Sequence, residues 1–144
     1  MSSLKETIKK TFWKTLGLFP FFGIISKTKG TQTPVRLHYL FWQKIIGYNK
    51  KAYWPVHFTS IVSQPQNVYC GIETCPGYSP GCYIQAIGKV CIGNYTQIAA
   101  NVGIISANHD LYDNSQHIIK DVSIGEYCWI GIANCRTLCS VSEA

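Results

Sequence analysis

Isoleucine returns at every sixth position along part of this chain. Ile92, Ile98 and Ile104 are six apart, and Ile124 and Ile130 repeat the spacing. Gly93, Gly125 and Gly131 directly follow three of these isoleucines, and Ala99 follows a fourth. Thr96, Val102 and Cys128, small or β-branched, stand four places after an isoleucine. A six-residue apolar period matches neither the 3.6-residue helix nor the two-residue alternation of a half-buried strand. It is the signature of a hexapeptide parallel β-helix, in which each unit makes one flat face and three units close a coil. The aliphatic side chain points inward, and glycine after it relieves crowding at the bend. Stacked coils bury together what one coil cannot bury alone.

Val56, Val62 and Val68 carry the same spacing earlier in the chain, so the first coil is expected to begin there. Thr74, Pro80 and Ala86 keep the count without the large side chain, and Ile84 and Ile92 are eight apart. The register is therefore expected to be disturbed over residues 71–90, with a two-residue insertion or bulge between Ile84 and Ile92. A second break separates Ile104 from Ile124, and inside it sits Asn108-His109-Asp110.

The expected organisation is an N-terminal helical segment, 1–54, followed by the β-helix, 55–144, in a chain whose length suits one domain. Residues 2–16 read as a short amphipathic helix, with Leu4, Ile8, Phe12 and Leu16 on one face and lysines around it. Residues 16–25 are apolar but interrupted by Pro20, and fall short of the roughly 20 residues needed to span a bilayer. Residues 27–34 are polar with Gly and Pro, and read as a linker. Residues 35–48 read as a second short helix with Leu37, Leu40, Phe41, Ile45 and Tyr48 on one side.

Charge is placed unevenly. Residues 1–55 hold ten Lys or Arg and one acid, whereas 56–144 hold three and six, so the net +6 is +9 followed by −3. A basic arm suits an anionic partner or a solvated helix surface, and both readings stay open. No nucleic-acid motif accompanies the charge. Residues 1–25 could dock on the body or make peripheral contact with a membrane; docking is the preferred reading. Seven cysteines without a C-x-x-C pair argue against zinc. With no signal-peptide pattern, they read as reduced cytosolic thiols standing in for small core residues, and no metal is expected.

A reaction that activates a hydroxyl needs a base for its proton and hydrogen-bond donors for any oxyanion that develops. A neutral histidine suits the first task and backbone N–H groups the second. His109 is the candidate base, because the broken period puts it on a loop leaving a rigid scaffold. Asn108 and Asp110 either orient the imidazole, contact the acceptor, or stabilise turns through local hydrogen bonds. His38 and His57 read as packing or surface residues.

The segments YIQAIG, IGNYTQIAANVGIISANHDLYD and IGEYCWIG, within residues 55–131, resemble the hexapeptide-repeat acyltransferases. The likeness is to the O-acetyltransferase branch related to maltose, galactoside and capsule-sugar acetyltransferases. The resemblance implies an all-β, left-handed parallel β-helix preceded by short helices, an acetyl-CoA donor, and a homotrimer. It implies acetylation of a sugar hydroxyl in surface-polysaccharide biosynthesis, in the cytoplasm or at the inner face of the membrane. It places the catalytic histidine at His109, acting by direct transfer without a covalent acyl-enzyme. It puts Trp129 beside the pantetheine arm of the donor, or at a subunit interface, since the family's site lies between subunits. His117 fits the same pattern without a catalytic role. Tyr83 and Gln85 are candidates for the border of the acceptor pocket.

After Gly131 the likeness ends. Arg136 falls where the next inward aliphatic residue belongs, and an unpaired inward arginine would be costly. No Pro-Gly turn follows. The expectation is a C-terminally truncated or frame-shifted chain with an incomplete donor groove and an uncapped edge. The competing reading is an inactive remnant or binding scaffold.

Overall fold

The computed structural model describes residues 20–132 and 141–143. The helix expected over 2–16, and Cys135, Arg136 and Cys139, lie outside them. Among the described residues the chain is mostly short strands, with helices confined to the N-terminal part.

The strands form three principal sheets. Sheet one contains β1 (Ile61–Ser63), β3 (Tyr83–Gln85) and β6 (Gly103–Ile105), all parallel. Sheet two contains β2 (Val68–Cys70), β4 (Val90–Ile92) and β9 (Val122–Ile124), again parallel. Sheet three pairs β5 (Gln97–Ile98) with β10 (Trp129–Ile130) in parallel. From β4 onward the chain visits sheets two, three and one, then two and three again. Parallel neighbours therefore lie a full circuit apart in sequence: Val62 pairs with Ile84 and Ile84 with Ile104.

The sixfold period sets what lies inside. Val56, Val62, Val68, Ile84, Val90, Ile92, Ile98, Ile104 and Ile124 form one buried cluster, with Ile130 partly buried against it. Residues flanking these on the same strands face outward, as in Ile61, Tyr69 and Tyr83. Full burial of one such side chain contributes about 1.5–3 kcal/mol.

Two devices fit the corners. Thr74 and Thr96 are buried and occupy equivalent places in successive circuits. Thr74 Oγ1 donates to the Gly93 carbonyl at 2.8 Å and accepts from Thr96 N–H at 3.0 Å. Thr96 Oγ1 then donates to the Gly125 carbonyl at 2.8 Å and accepts from Cys128 N–H at 3.2 Å. Backbone groups that the bend removes from the ladders are satisfied by this column. The second device is the absence of a Cβ at Gly93, where one would meet the backbone nitrogen of Glu126 at 2.6 Å. Gly93 thus lets one circuit lie directly on the next.

The irregular register has two sources, one of them the expected one. Ile84 pairs with Val62, Val90 with Val68 and Ile92 with Cys70. The spacing of eight from Ile84 to Ile92 is therefore that of Val62 to Cys70, so the two residues expected beyond a sixfold step between Ile84 and Ile92 recur in the preceding circuit. The circuit from Val62 to Ile84 is longer than the next by a further two residues, which lie downstream of Thr74. From Thr74 to Cys82 the chain takes eight steps, and from Thr96 to Val102, the matching stretch, it takes six. Pro76 is buried in that longer stretch, Gly77 and Gly81 have φ of 81° and 71°, and no strand forms there.

Sheet two does not end on β9. Strand β11 (Val141–Glu143) pairs with it in antiparallel fashion, so of the edge expected to be open the part in sheet two is paired, whereas β6 and β10 end the other two sheets among the described residues. Cys70, Cys75, Cys82 and Cys91 are free, as expected. Cys128 is not a reduced thiol but part of a disulfide.

Two helical pieces precede the sheets: α1 (Pro20–Thr28) and α2 (Leu37–Leu40), the latter running into widened π-type turns over Phe41–Ile46. The helix expected over 35–48 is thus present. Pro20 is the first described residue of α1, and α1 takes in part of the expected linker. Tyr39 and Gln43 are buried beneath α2 and its continuation. Tyr39 Oη donates to the Tyr78 carbonyl at 3.0 Å, and Gln43 Nε2 lies 2.9 Å from the Trp54 carbonyl and 3.1 Å from that of Ala52. No described helix is long and apolar enough to cross a membrane.

Candidate functional site

Between Ile104 and Ile124 the chain leaves sheet one and extrudes a hairpin before it rejoins sheet two. Strand β7 (Ala107–His109) pairs with β8 (His117–Ile119) in antiparallel fashion, with His109 opposite His117. Ser106 fixes its base. This residue is 1% exposed, and its Oγ donates to the Gln85 carbonyl at 2.9 Å and accepts from Gly88 N–H at 3.0 Å. The broken sixfold period thus marks a twelve-residue excursion: β4 to β9 spans 32 positions, whereas Ile84 to Ile104 spans 20.

Two aspartates shape the hairpin tip. Asp110 Oδ1 accepts from the backbone N–H of Tyr112 at 2.8 Å and of Asp113 at 3.2 Å. Asp113 Oδ1 accepts from Ser115 Oγ at 2.6 Å and Ser115 N–H at 2.9 Å, and its Oδ2 accepts from Gln116 Nε2 at 3.0 Å. The Ser115 hydroxyl, the Ser115 backbone N–H and then the Gln116 amide hold the Asp113 carboxyl below its usual range. These bonds stabilise the tip above the ordinary carboxylate pKa and are lost as the pH falls through the lowered one.

The tip in turn holds His109. Its Nδ1 lies 2.8 Å from the Asn114 carbonyl oxygen. A carbonyl can only accept, so Nδ1 carries the proton and, in the neutral ring, Nε2 keeps the lone pair. The His109 backbone N–H donates to Asn108 Oδ1 at 2.9 Å, and the His117 ring lies 4.5 Å away, centroid to centroid. Asp113→Ala is expected to release Ser115 and Gln116, which follow Asn114, and so to mix the two His109 tautomers. Imidazole nitrogen chemical shifts at neutral pH would report this as averaging of two resolved signals.

His109 lines a concavity of about 510 Å³ with Asn108, Ile105, Leu111, Ile118 and Lys120, among others. Of the six residues singled out from the sequence, Asn108 and His109 are brought together here. Gln85 is beside the concavity, since it pairs with Ile105 on its wall. Its Oε1 is buried without a hydrogen-bond partner. Tyr83, 42% exposed on β3, and Trp129, 55% exposed on β10, do not line it. Trp129 belongs to sheet three, whereas the hairpin joins sheets one and two. Asp110 does not contact the imidazole through its carboxylate, which is engaged in the turn.

Lys120 and Asp121 also line the concavity, and sequence reasoning passed over both. They stand just after the returning strand, sixteen and seventeen places beyond Ile104, where no motif marked them. Asp121 Oδ1 accepts from the Lys89 N–H at 2.8 Å, tying the hairpin's return to the preceding circuit. No protein-family model, curated protein or solved structure matches this chain.

Proposed function

We propose that this chain is a left-handed parallel β-helix O-acetyltransferase. It moves the acetyl group of acetyl-CoA to a sugar hydroxyl in surface-polysaccharide biosynthesis. One observation carries the reading: the Asn114 carbonyl fixes the tautomer of His109, leaving Nε2 as the basic nitrogen of a ring that borders a ligand-sized concavity. Support for the winding comes from the parallel pairing of strands a full circuit apart and from the sixfold period inside it.

The chemistry follows from that arrangement. The acceptor hydroxyl gives its proton to His109 Nε2 as its oxygen attacks the thioester carbonyl. The new ester C–O bond forms, the C–S bond breaks, and the departing thiolate takes the proton back from Nε2. The Asn114 carbonyl stabilises the imidazolium that exists between the two proton transfers, since Nδ1–H donates more strongly when the ring is charged. Backbone N–H groups serve the oxyanion. Gln85 and Asn108 offer polar atoms to the acceptor, and Lys120 offers a cation to an anionic portion of either substrate.

The distance in the fold between Trp129 and His109 is accounted for by assembly. In a homotrimer of the kind the resemblance implies, Trp129 of one subunit faces the hairpin of the next and holds the pantetheine arm. The protein works in the cytoplasm, at or near the inner face of the membrane.

Incubation of the chain with acetyl-labelled acetyl-CoA and a panel of free, nucleotide-linked and lipid-linked sugars tests the proposal. Labelled ester in at least one sugar, with release of CoA thiol, is the expected result. CoA release at the uncatalysed rate with every acceptor would contradict it.

A further inference from the structure

The helix over residues 37–46 is amphipathic in the reverse sense. Its inward face is Tyr39 and Gln43, which are buried and bonded to backbone carbonyls of the body. Leu37, Phe41 and Ile45 stand on the opposite face, 61%, 46% and 73% exposed, and Ile46 beside them is 49% exposed. Gln43 cannot turn outward without abandoning the Ala52 and Trp54 carbonyls, so the apolar row is held toward the surroundings. A contiguous exposed apolar patch of this kind marks an interaction surface.

Charge around the patch identifies the occupant. Arg36, Lys44, Lys50 and Lys51 are exposed around the row. From Pro20 to Ile72 the sequence holds six Lys or Arg and no Asp or Glu. An apolar stripe with a wholly cationic border matches a bilayer surface rich in anionic lipid. Its side chains would enter the acyl boundary and its cations would meet the headgroups. A protein partner of mixed charge would find no acid here with which to pair its own cations.

We infer that the face formed by Leu37, Phe41 and Ile45, with Lys44, Lys50 and Lys51 at its border, seats the protein on an anionic membrane surface. The inference does not depend on the acetyl-transfer reading, and it concerns residues other than those of the hairpin.

Vesicle flotation of the full chain tests it, using equal parts phosphatidylglycerol and phosphatidylcholine against phosphatidylcholine alone. The chain is expected to float with the anionic vesicles and to be released by high salt. Leu37→Ser combined with Ile45→Ser, and separately Lys44→Glu combined with Lys50→Glu, should each weaken binding at least about tenfold. All four side chains are exposed, so both variants should keep the parent's thermal transition. A second charge variant, Lys44→Gln with Lys51→Gln, should give an intermediate loss. No flotation of the parent, or variants that float as the parent does, would overturn the inference. So would a concentration-dependent dimer, seen without lipid and abolished by the apolar variant, because the occupant would then be a second copy.

Discussion

His109→Ala is expected to lower acetyl transfer by about 10²–10⁴-fold, the usual contribution of a positioned general base, while leaving the thermal transition within error of the parent. The two halves of this expectation have separate grounds. The catalytic loss follows from the removal of the nitrogen that takes the hydroxyl proton. The unchanged stability follows because His109 is exposed and its side chain makes one hydrogen bond, to Asn114 at the hairpin tip. His109→Gln should be equally inactive, since an amide can replace the Nδ1–H donor but cannot accept the proton. Initial rates with saturating acetyl-CoA and a reactive sugar, together with calorimetry, measure both halves. Transfer at the parent's rate in either variant would remove His109 from the mechanism.

Ile84→Ala is expected to cost about 2–5 kcal/mol, the range for truncating a large aliphatic side chain in a packed core. Ile84 is 0% exposed and paired between Val62 and Ile104, so its loss opens a void across three successive circuits. Relaxation into that void is restricted because each neighbour is itself fixed by ladder hydrogen bonds. Ile61, on the adjacent strand but facing outward and 58% exposed, should lose no more than about 0.5 kcal/mol on the same substitution. Urea unfolding of the two variants gives the comparison. The contrast depends on the inside–outside alternation and not on hydrophobicity, because both residues are isoleucine.

Much of the core could be read directly. Ile92, Ile98, Ile104 and Ile124 are buried because an aliphatic residue repeated every sixth place meets the same interior line on each face. The two valines Val62 and Val68 follow the same rule. The rule holds at Ile92 but leaves out its buried neighbour on the same strand. A sixfold count admits one inward residue per face, whereas the strands of sheet two turn two residues inward, Val90 with Ile92 in β4. Position 74 was legible as an interruption, but the reason threonine suits it is a hydrogen bond to another circuit, which no local pattern encodes.

At the site the loop was legible and its interior was not. The missing period located the excursion, and Asn-His-Asp supplied its chemistry. Asp110 offered three roles, at the imidazole, the acceptor or a turn, and the backbone amides of Tyr112 and Asp113 draw it into the turn. The carbonyl of Asn114 as partner to the imidazole was beyond sequence reasoning, since a backbone carbonyl exists at every position and only the hairpin's pairing selects this one. Lys120 was passed over for a related reason: one lysine outside any motif gains meaning only from the concavity it borders. Likewise, grouping Leu37, Phe41 and Ile45 on one side of a helix was correct. A helix ordinarily buries such a side, and the carbonyls that capture Gln43 are what reverse it here.

Oxidative cross-linking tests the winding itself. Tyr69 and Cys91 are both exposed and directly paired across parallel strands β2 and β4. Neighbouring strands lie about 4.8 Å apart, within the range a disulfide bridges. In Tyr69→Cys, mild oxidation is expected to join the introduced cysteine to Cys91, as shown by peptide mass mapping. In Ile61→Cys, a residue of a different sheet, no bond to Cys91 should form. A bond to Cys91 from position 61, or none from position 69, would contradict the stacking of circuits on which the hairpin and its histidine depend.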